Sequence, residues 1–306
     1  MRLRLFCVDH RPDGAINPLG LTTVGVGQNR QPGILHDDVG ENIAAHNPHL
    51  NESTALWWLW RHPEVRRMDF VGLCHYRRFL LFRPLPDRRG RVSSRLGGVF
   101  LKPSLQTLLP RLPCSEADAA AVLEGEGTDG ILPVSGWIHA RGGLAQAMLD
   151  NRFASERWIA HALALVREMA PACADFYEAM FRHGDRFYPY NTFVARTALF
   201  ERMCATLLPI SLSLAEAWLR DPGAKVSRRE PGFITEFLVG TYWRWLEETG
   251  QARFSHCQCV AFLRNGHGRW YLPFSRWGFR YLPDGLAAVG SHCHRWLVKA
   301  RLLPHP

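Results

Sequence analysis

The stretch MDFVGLCHYRRFLLF, residues 68–82, decides how the chain is read. Its apolar run from Phe70 to Cys74 stops abruptly at His75, Tyr76, Arg77 and Arg78. A short continuous apolar run that ends in charge is the pattern of a strand buried on both faces, as in a parallel sheet. In open α/β sheets, ligands bind at the carboxyl ends of such strands. The four polar residues therefore stand where chemistry is expected. Successive strand residues point to opposite faces, so if the strand runs on, at most one of the two arginines reaches a ligand. Arginine offers fork-shaped donors matched to phosphate oxygens. The alternative is a solvated edge with a structural ion pair, and the residues alone leave both open.

Outward from this strand, LRLFCV (3–8) reads as a second buried strand and HRPDGAINPLG (10–20) as a loop, by its Pro, Gly and Asn content. Residues 22–27 follow as another strand. A helix is expected from about Asn51, capped by Asn51 or Ser53 and ended by Pro63. Downstream, residues 83–113 are rich in Arg, Gly and Pro and read as a long loop or flap. A helix at 114–124, a strand within 127–134, helical periodicity over 157–182 and 197–218, and a short strand within 186–195 come next. A last helix over 232–249 starts just beyond Pro231 and carries Glu236 in its first turn. The class is α/β: a mostly parallel central sheet flanked by helices, with a helical C-terminal part. Residues 1–255 form the expected main domain and 256–306 a C-terminal extension.

With 306 residues, 47% of them apolar and 21% charged, the chain can bury a sizeable core and is not disordered. It carries 37 basic and 28 acidic residues, a formal charge of +9, which favours anionic partners without choosing among them. Lysine occurs only at 102, 225 and 299, and the arginine surplus fits either phosphate contacts or codon bias. Eight scattered cysteines without a regular framework fit reduced thiols in a cytoplasmic protein. The start, MRLRLFCVDH, lacks the apolar stretch of a signal peptide, and no 18-residue apolar run is evident. Contact with the inner face of the cell membrane is expected, if anywhere, from the Trp- and Arg-rich stretch Trp270–Arg301.

Three further groups carry chemistry. LHDDVGENIAAHNPHLNESTALWW (35–58) gathers Asp37, Asp38, Glu41, Asn42, Asn47, Asn51 and Glu52 between apolar segments. Such residues hold a divalent ion or sugar hydroxyls, or they serve turns and caps. In RREPGFITEFL (228–238), Glu236 has the helix dipole to favour its charge and reads either as a general base or as an ordinary helix-terminal carboxylate. Tyr188, Tyr190, Asn191 and Thr192 suit stacking on and hydrogen bonding to a sugar, or core packing. His256, Cys257 and Cys259 lack a second pair at zinc spacing, so no metal site is assigned. There is no GxxxxGK[ST], no GxGxxG after the first strand and no GxSxG, which removes the main support for P-loop, Rossmann and hydrolase readings.

Taken in order, ILHDDVGENIAAHNPHLNESTALWWLWRH, DFVGLCHYRRFL, FYPYNTFVARTALFERMC and EPGFITEFLVGTYW resemble a bacterial family long catalogued as a domain of unknown function. That family occurs in capsular, exopolysaccharide and O-antigen gene clusters and is regarded as glycosyltransferases, with galactofuranose-related transfer among its implied activities. The likeness runs from about residue 20 to 250. It implies a GT-A-like fold with a nucleotide-diphosphate sugar, a UDP-sugar favoured, over the carboxyl ends of the sheet, and a glycan or lipid-linked acceptor.

Carried onto this sequence, the resemblance puts Asp38, Asn42, Glu52, Thr54, His75, Arg77 and Arg78 at the donor and Tyr190, Asn191 and Thr192 at the acceptor. Glu236 becomes the base of an inverting displacement. Where many GT-A enzymes bind a metal through an Asp-x-Asp motif, this chain reads His75-Tyr76-Arg77, so the cationic cluster is expected to take over part of the charge neutralisation. Mn²⁺ or Mg²⁺ stays open as a cofactor, with Asp37, Asp38 or Asp129 as its ligands if one is used. Where the family has a His-Asp pair before its long central helix, this chain reads ASERWIAHAL (154–163). The rival readings are a non-catalytic carbohydrate-binding protein and a nucleic-acid-binding protein. The basic residues are dispersed and form no known nucleic-acid module.

Overall fold

The computed structural model describes residues 1–11, 19–83, 98–101, 112–137, 142–188, 191–223 and 226–262. Its strands are β1 (Leu3–Asp9), β2 (Thr22–Gly25), β3 (Leu35–His36), β4 (Phe70–His75), β5 (Arg78–Leu81), β6 (Gly98–Leu101), β7 (Gly130–Pro133), β8 (Gly136–Trp137), β9 (Arg186–Phe187), β10 (Phe193–Arg196) and β11 (Phe254–Phe262). Its α-helices are α1 (Asn47–Leu50), α2 (Ser53–Arg61), α3 (Glu116–Glu126), α4 (Gly143–Asp150), α5 (Glu156–Met169), α6 (Pro171–His183), α7 (Thr197–Arg220) and α8 (Glu230–Glu248).

The first half of the central sheet is parallel as expected: β1 has β2 on one side and β4 on the other, and β3 lies beyond β2. The second half is not. β10 runs antiparallel to both β4 and β7, and β11 runs parallel to β6 and β7 but antiparallel to β5. The mostly parallel sheet expected from sequence is therefore a mixed one. One cause is local: only Tyr76 and Arg77 separate β4 from β5, and parallel neighbours need a crossover of a dozen or more residues. The chain must turn back, with His75 opposite Arg78.

Alternation along the strands makes two cores. Phe6, Val8, Val71 and Leu73 face a large apolar layer built on α2 and α4 to α8. Leu5, Cys7, Phe70 and Cys74 face a smaller one closed by residues of α3. This is the period of two that separates strand faces. α7 is long and apolar enough to cross a membrane by length and composition, yet half of its most apolar window is buried within the fold. It packs on α2, α5 and α8.

Several boundaries move for identifiable reasons. Neither Asn51 nor Ser53 caps α2; Glu52 occupies the cap without a side-chain bond, and Asn51 is turned to φ +53°. The helical stretch 157–182 divides into α5 and α6 at Pro171, which occupies the first turn of the second helix. α8 begins at Glu230 with Pro231 in its first turn, so Glu236 lies in the second turn rather than the first. The C-terminal part is not purely helical: after α8 the chain re-enters the sheet as β11, between β7 and β5. The division at 255/256 falls inside that strand. Most of the flap at 83–113 and all of Trp270–Arg301 lie outside the described residues; within the flap, β6 pairs with β11.

Candidate active site

Because β1 to β4 are parallel and in register, their carboxyl ends form one edge. Val8 lies opposite His75, Asp9 opposite Gly25, and Gly25 opposite His36. The chain leaves β1 towards β2 and β3 and returns to β4 on the other side, and such a switch of direction leaves a crevice between β1 and β4. The rings of His10 and His75 are 6.3 Å apart there, and Tyr76 lies 5.0 Å from His10 and 4.9 Å from His75. Asp9, buried, grips Arg11 through both oxygens, at 3.0 Å from Nε to Oδ1 and 2.7 Å from Nη2 to Oδ2. This fixes the Arg11 guanidinium 4.3 Å from the centre of the Tyr76 ring. The Arg77 guanidinium is 5.2 Å from the same ring.

Burial, and then the charges of Arg78, His10, Arg77 and Arg229, push the His75 imidazole well below its ordinary pKa. It is neutral at physiological pH. Its Nδ1 is buried and has no hydrogen-bond partner among the described residues. A neutral imidazole with an unused ring nitrogen can donate to or accept from a ligand without bringing charge of its own.

Arg229 connects this edge to α8. It stands immediately before the helix, acts electrostatically on His75 and donates from Nε to Asn51 Oδ1 at 2.5 Å. The helix itself lies tight against the same residues. A Cβ added at Gly232 would come within 2.2 Å of Asn51 Nδ2, and one at Gly240 within 2.5 Å of the Tyr188 carbonyl oxygen. Gly232, Glu236 and Gly240 are spaced four apart and share one helix face. Glu236, half-buried, therefore lies on the face that runs from Asn51 to Tyr188.

The segment carrying the acceptor candidates is pinned at both ends. Tyr188 donates its hydroxyl to Glu247, and that hydroxyl lies 3.0 Å from His256 Nε2; His256 Nε2 is 3.2 Å from Glu247 Oε1. Burial alone would raise Glu247, but the bonds from His256 and Tyr188 hold it below the ordinary carboxylate range. At the other end Asn191, buried at φ +47°, donates to Glu52 Oε1 at 3.1 Å. Its own Oδ1 is buried without a hydrogen-bond partner among the described residues. Thr192 is buried beside it. Tyr190 lies outside the described residues.

The remaining sequence candidates divide. Thr54 is fully buried and donates to Asp37 Oδ2 at 2.5 Å; burial raises Asp37 above the usual carboxylate range against that bond. Asp38 pairs with Arg30 at 2.9 Å, and among the described residues Asn42 bonds to the backbone of its own exposed loop. Asp129 is held by Arg196 at 2.7 Å, and Arg196 lies opposite Phe70. That is the amino end of β4, the far edge of the sheet from His75.

Sequence reading missed Asp9, His10, Arg11 and Arg229. The first three follow an apolar run as His75 does, and the rule applied to β4 finds them; His10 and Arg11 are drawn into the loop reading by the Pro and Gly after them, and Asp9 falls between the strand and that loop. Arg229 carried no such signal.

The model of a protein family matches residues 4–248, from β1 to the end of α8. The chain belongs to that family, described as Domain of unknown function (DUF4422). The match takes in every site residue named above except His256. No curated protein matches this DUF4422 chain. Among solved structures, the apo form of the WbbM bifunctional glycosyltransferase is similar, with a TM-score of 0.70 and 23% identity over 86% of this chain and 46% of that one. The chain thus spans about half the length of that enzyme. The likeness gives this DUF4422 chain a glycosyltransferase-like α/β fold.

Proposed function

We propose that this chain is a GT-A-like glycosyltransferase that moves a hexose, galactofuranose among the candidates, from a UDP-sugar to a growing cell-surface polysaccharide or lipid-linked glycan at the cytoplasmic face of the membrane. The observation that carries the reading is the crevice between β1 and β4, where Arg11, Arg77 and a neutral His75 gather at the carboxyl edge, with the charge of Arg229, just before α8, acting on the same imidazole. Family membership and the fold of the WbbM enzyme agree with it.

In this reading the guanidinium groups receive the diphosphate, and His75 Nδ1 bonds one of its oxygens. Sugar transfer needs the leaving diphosphate stabilised as charge develops on it, and preorganised donors in a dry site do this. The donor set at the end of β4 does not suit a hard divalent cation, which takes carboxylate and carbonyl oxygens. An imidazole and guanidinium groups stand there, and the carboxylate at the end of the neighbouring strand, Asp9, is occupied by Arg11. We therefore assign charge neutralisation to the arginines. Glu236, on the α8 face between Asn51 and Tyr188, is the general base that takes the proton of the acceptor hydroxyl as it attacks the anomeric carbon. Glu52 and Asn191 hold the 191–192 segment as part of the acceptor wall.

A thermal-shift titration with UDP, with and without a chelator, tests the donor half: stabilisation indifferent to chelator is expected, and dependence on Mn²⁺ would overturn the arginine assignment. Turnover of UDP-hexoses by Glu236→Gln tests the acceptor half. General base catalysis contributes roughly 10² to 10⁴-fold, so a loss of that size with unchanged UDP binding is expected. A parent chain that binds neither UDP nor any nucleotide sugar would return the protein to the non-catalytic carbohydrate-binding class.

A further inference from the structure

Asn191 carries two costs at once. Its backbone is turned to φ +47°, a region that residues other than glycine rarely enter, asparagine being among those that tolerate it best. Its Oδ1 is buried with no hydrogen-bond partner among the described residues, although nearly all buried polar atoms in native proteins are paired. Costs of this kind gather where a residue serves a ligand. The orientation of the amide is dictated by its neighbour. Nδ2 donates to Glu52 Oε1 at 3.1 Å, and a carboxylate only accepts. The nitrogen is thereby held on Glu52, and the oxygen is the atom left over.

Glu52 is itself fixed. It is buried, and Asn51 before it accepts from Asn47 Nδ2 through its backbone oxygen at 2.8 Å and from Arg229 Nε through Oδ1. The pair therefore presents one neutral hydrogen-bond acceptor whose orientation the fold has set. Strand register places that acceptor. β10 runs antiparallel to β4 with Phe193 opposite Leu73, and two residues outward from this pair stand Asn191 on one strand and His75 on the other. Asn191 is thus level with His75 at the carboxyl edge, where His75 Nδ1 is likewise buried without a partner among the described residues. The oxygens of a sugar diphosphate only accept hydrogen bonds, so they cannot satisfy Asn191 Oδ1. A sugar hydroxyl donates as well as accepts, and the sugar is the part of such a ligand that adjoins the diphosphate.

We propose that Asn191 Oδ1 accepts a hydrogen bond from one hydroxyl of a hexose bound at this edge and so determines which sugar fits, with Glu52 as the positioning residue that holds the amide in the required orientation. The inference rests on the transferase reading and adds to it the group that reads the sugar. The hydroxyl belongs either to the donor hexose or to the acceptor sugar, and the same chemistry serves both.

Calorimetric affinities of the full chain for monodeoxy sugars provide the test. One series starts from whichever of UDP-galactose, UDP-galactofuranose and UDP-glucose the parent binds best; the other consists of octyl galactosides added with UDP present. The parent is expected to bind one analogue of one series about tenfold more weakly than the full sugar, the size of one neutral hydrogen bond, and the series concerned tells donor from acceptor. Asn191→Gly, which suits the positive φ, is expected to bind that analogue and the full sugar alike. Glu52→Gln offers Asn191 a partner that donates as well as accepts, which lets the amide turn over, so the tenfold gap is expected to narrow. UDP alone is expected to stabilise the parent and both variants equally, which also reports that they fold. An Asn191→Gly chain that keeps the parent's preference for every sugar, with UDP still stabilising it, would overturn the inference and leave the transferase reading standing. A gap lost in Asn191→Gly but unchanged in Glu52→Gln would overturn the role given to Glu52. A parent that responds neither to UDP nor to any of these sugars would overturn the transferase reading and this inference with it.

Discussion

His75 is uncharged where three arginines and a second histidine converge, because burial and those neighbouring charges both work against protonation. This has a consequence for stability. In the unfolded chain the imidazole titrates near 6.5, while in the folded chain it does so well below that. As pH falls through about 6.5 the unfolded state takes up a proton that the folded state refuses, so folding loses stability progressively down to the folded pKa. His75→Asn removes this term. The Tm of the parent is expected to fall more steeply than that of the variant between about pH 7 and pH 5, and parallel curves would show that His75 is not buried neutral. The identity of this residue was legible in the sequence, since an apolar run ending at a His-Tyr-Arg-Arg cluster marks a strand end. Its neutrality was not, because it depends first on burial, which is set by segments distant along the chain.

Among the elements, α8 was read correctly as a helix and less well as a junction. Sequence reading singled out Glu236 and passed over Glu230, whose donors come from Ser155 and Trp218, 75 and 12 residues away. Separations of that kind leave no periodic trace. A buried carboxylate with three donors, the third being the Val226 backbone, is costly to remove, because hydrogen bonds to charged groups contribute about 1.5–3 kcal/mol and the donors left behind lose their partner. Glu230→Ala is expected to destabilise the fold by roughly 3 kcal/mol or more, which for a domain of this size lowers Tm by several degrees. Glu236→Gln, one turn and a half further on, is expected to leave the stability within about 1 kcal/mol of the parent, as changes at partly exposed positions do. Reversal of that order in calorimetry would mean that Glu236, not Glu230, holds the junction.

For the whole molecule, the parallel half of the sheet was legible and the antiparallel half was not. β1 and β4 announce themselves by continuous apolar runs. β11 reads FSHCQCVAF, with His256 and Gln258 interrupting the apolar pattern, and nothing local distinguishes it from a tail. Its place is set by partners far away: Phe254–Cys257 pair with β7, Gln258–Ala261 with β5 and Cys259–Phe262 with β6. The strand therefore lies inside the sheet although the family match ends at residue 248, before it begins. A chain ending at Arg253 would leave β5 and β7 with unpaired edges, and buried backbone groups without partners are costly. It would also remove His256 from Tyr188 and Glu247, loosening the 188–192 segment. A chain ending at Phe262 keeps every one of these contacts. Expression of the two is expected to give a cooperative thermal transition for the longer and aggregation or a broad, non-cooperative transition for the shorter. A chain ending at Arg253 that melts like the longer one would show β11 to be an ornament on a sheet complete without it.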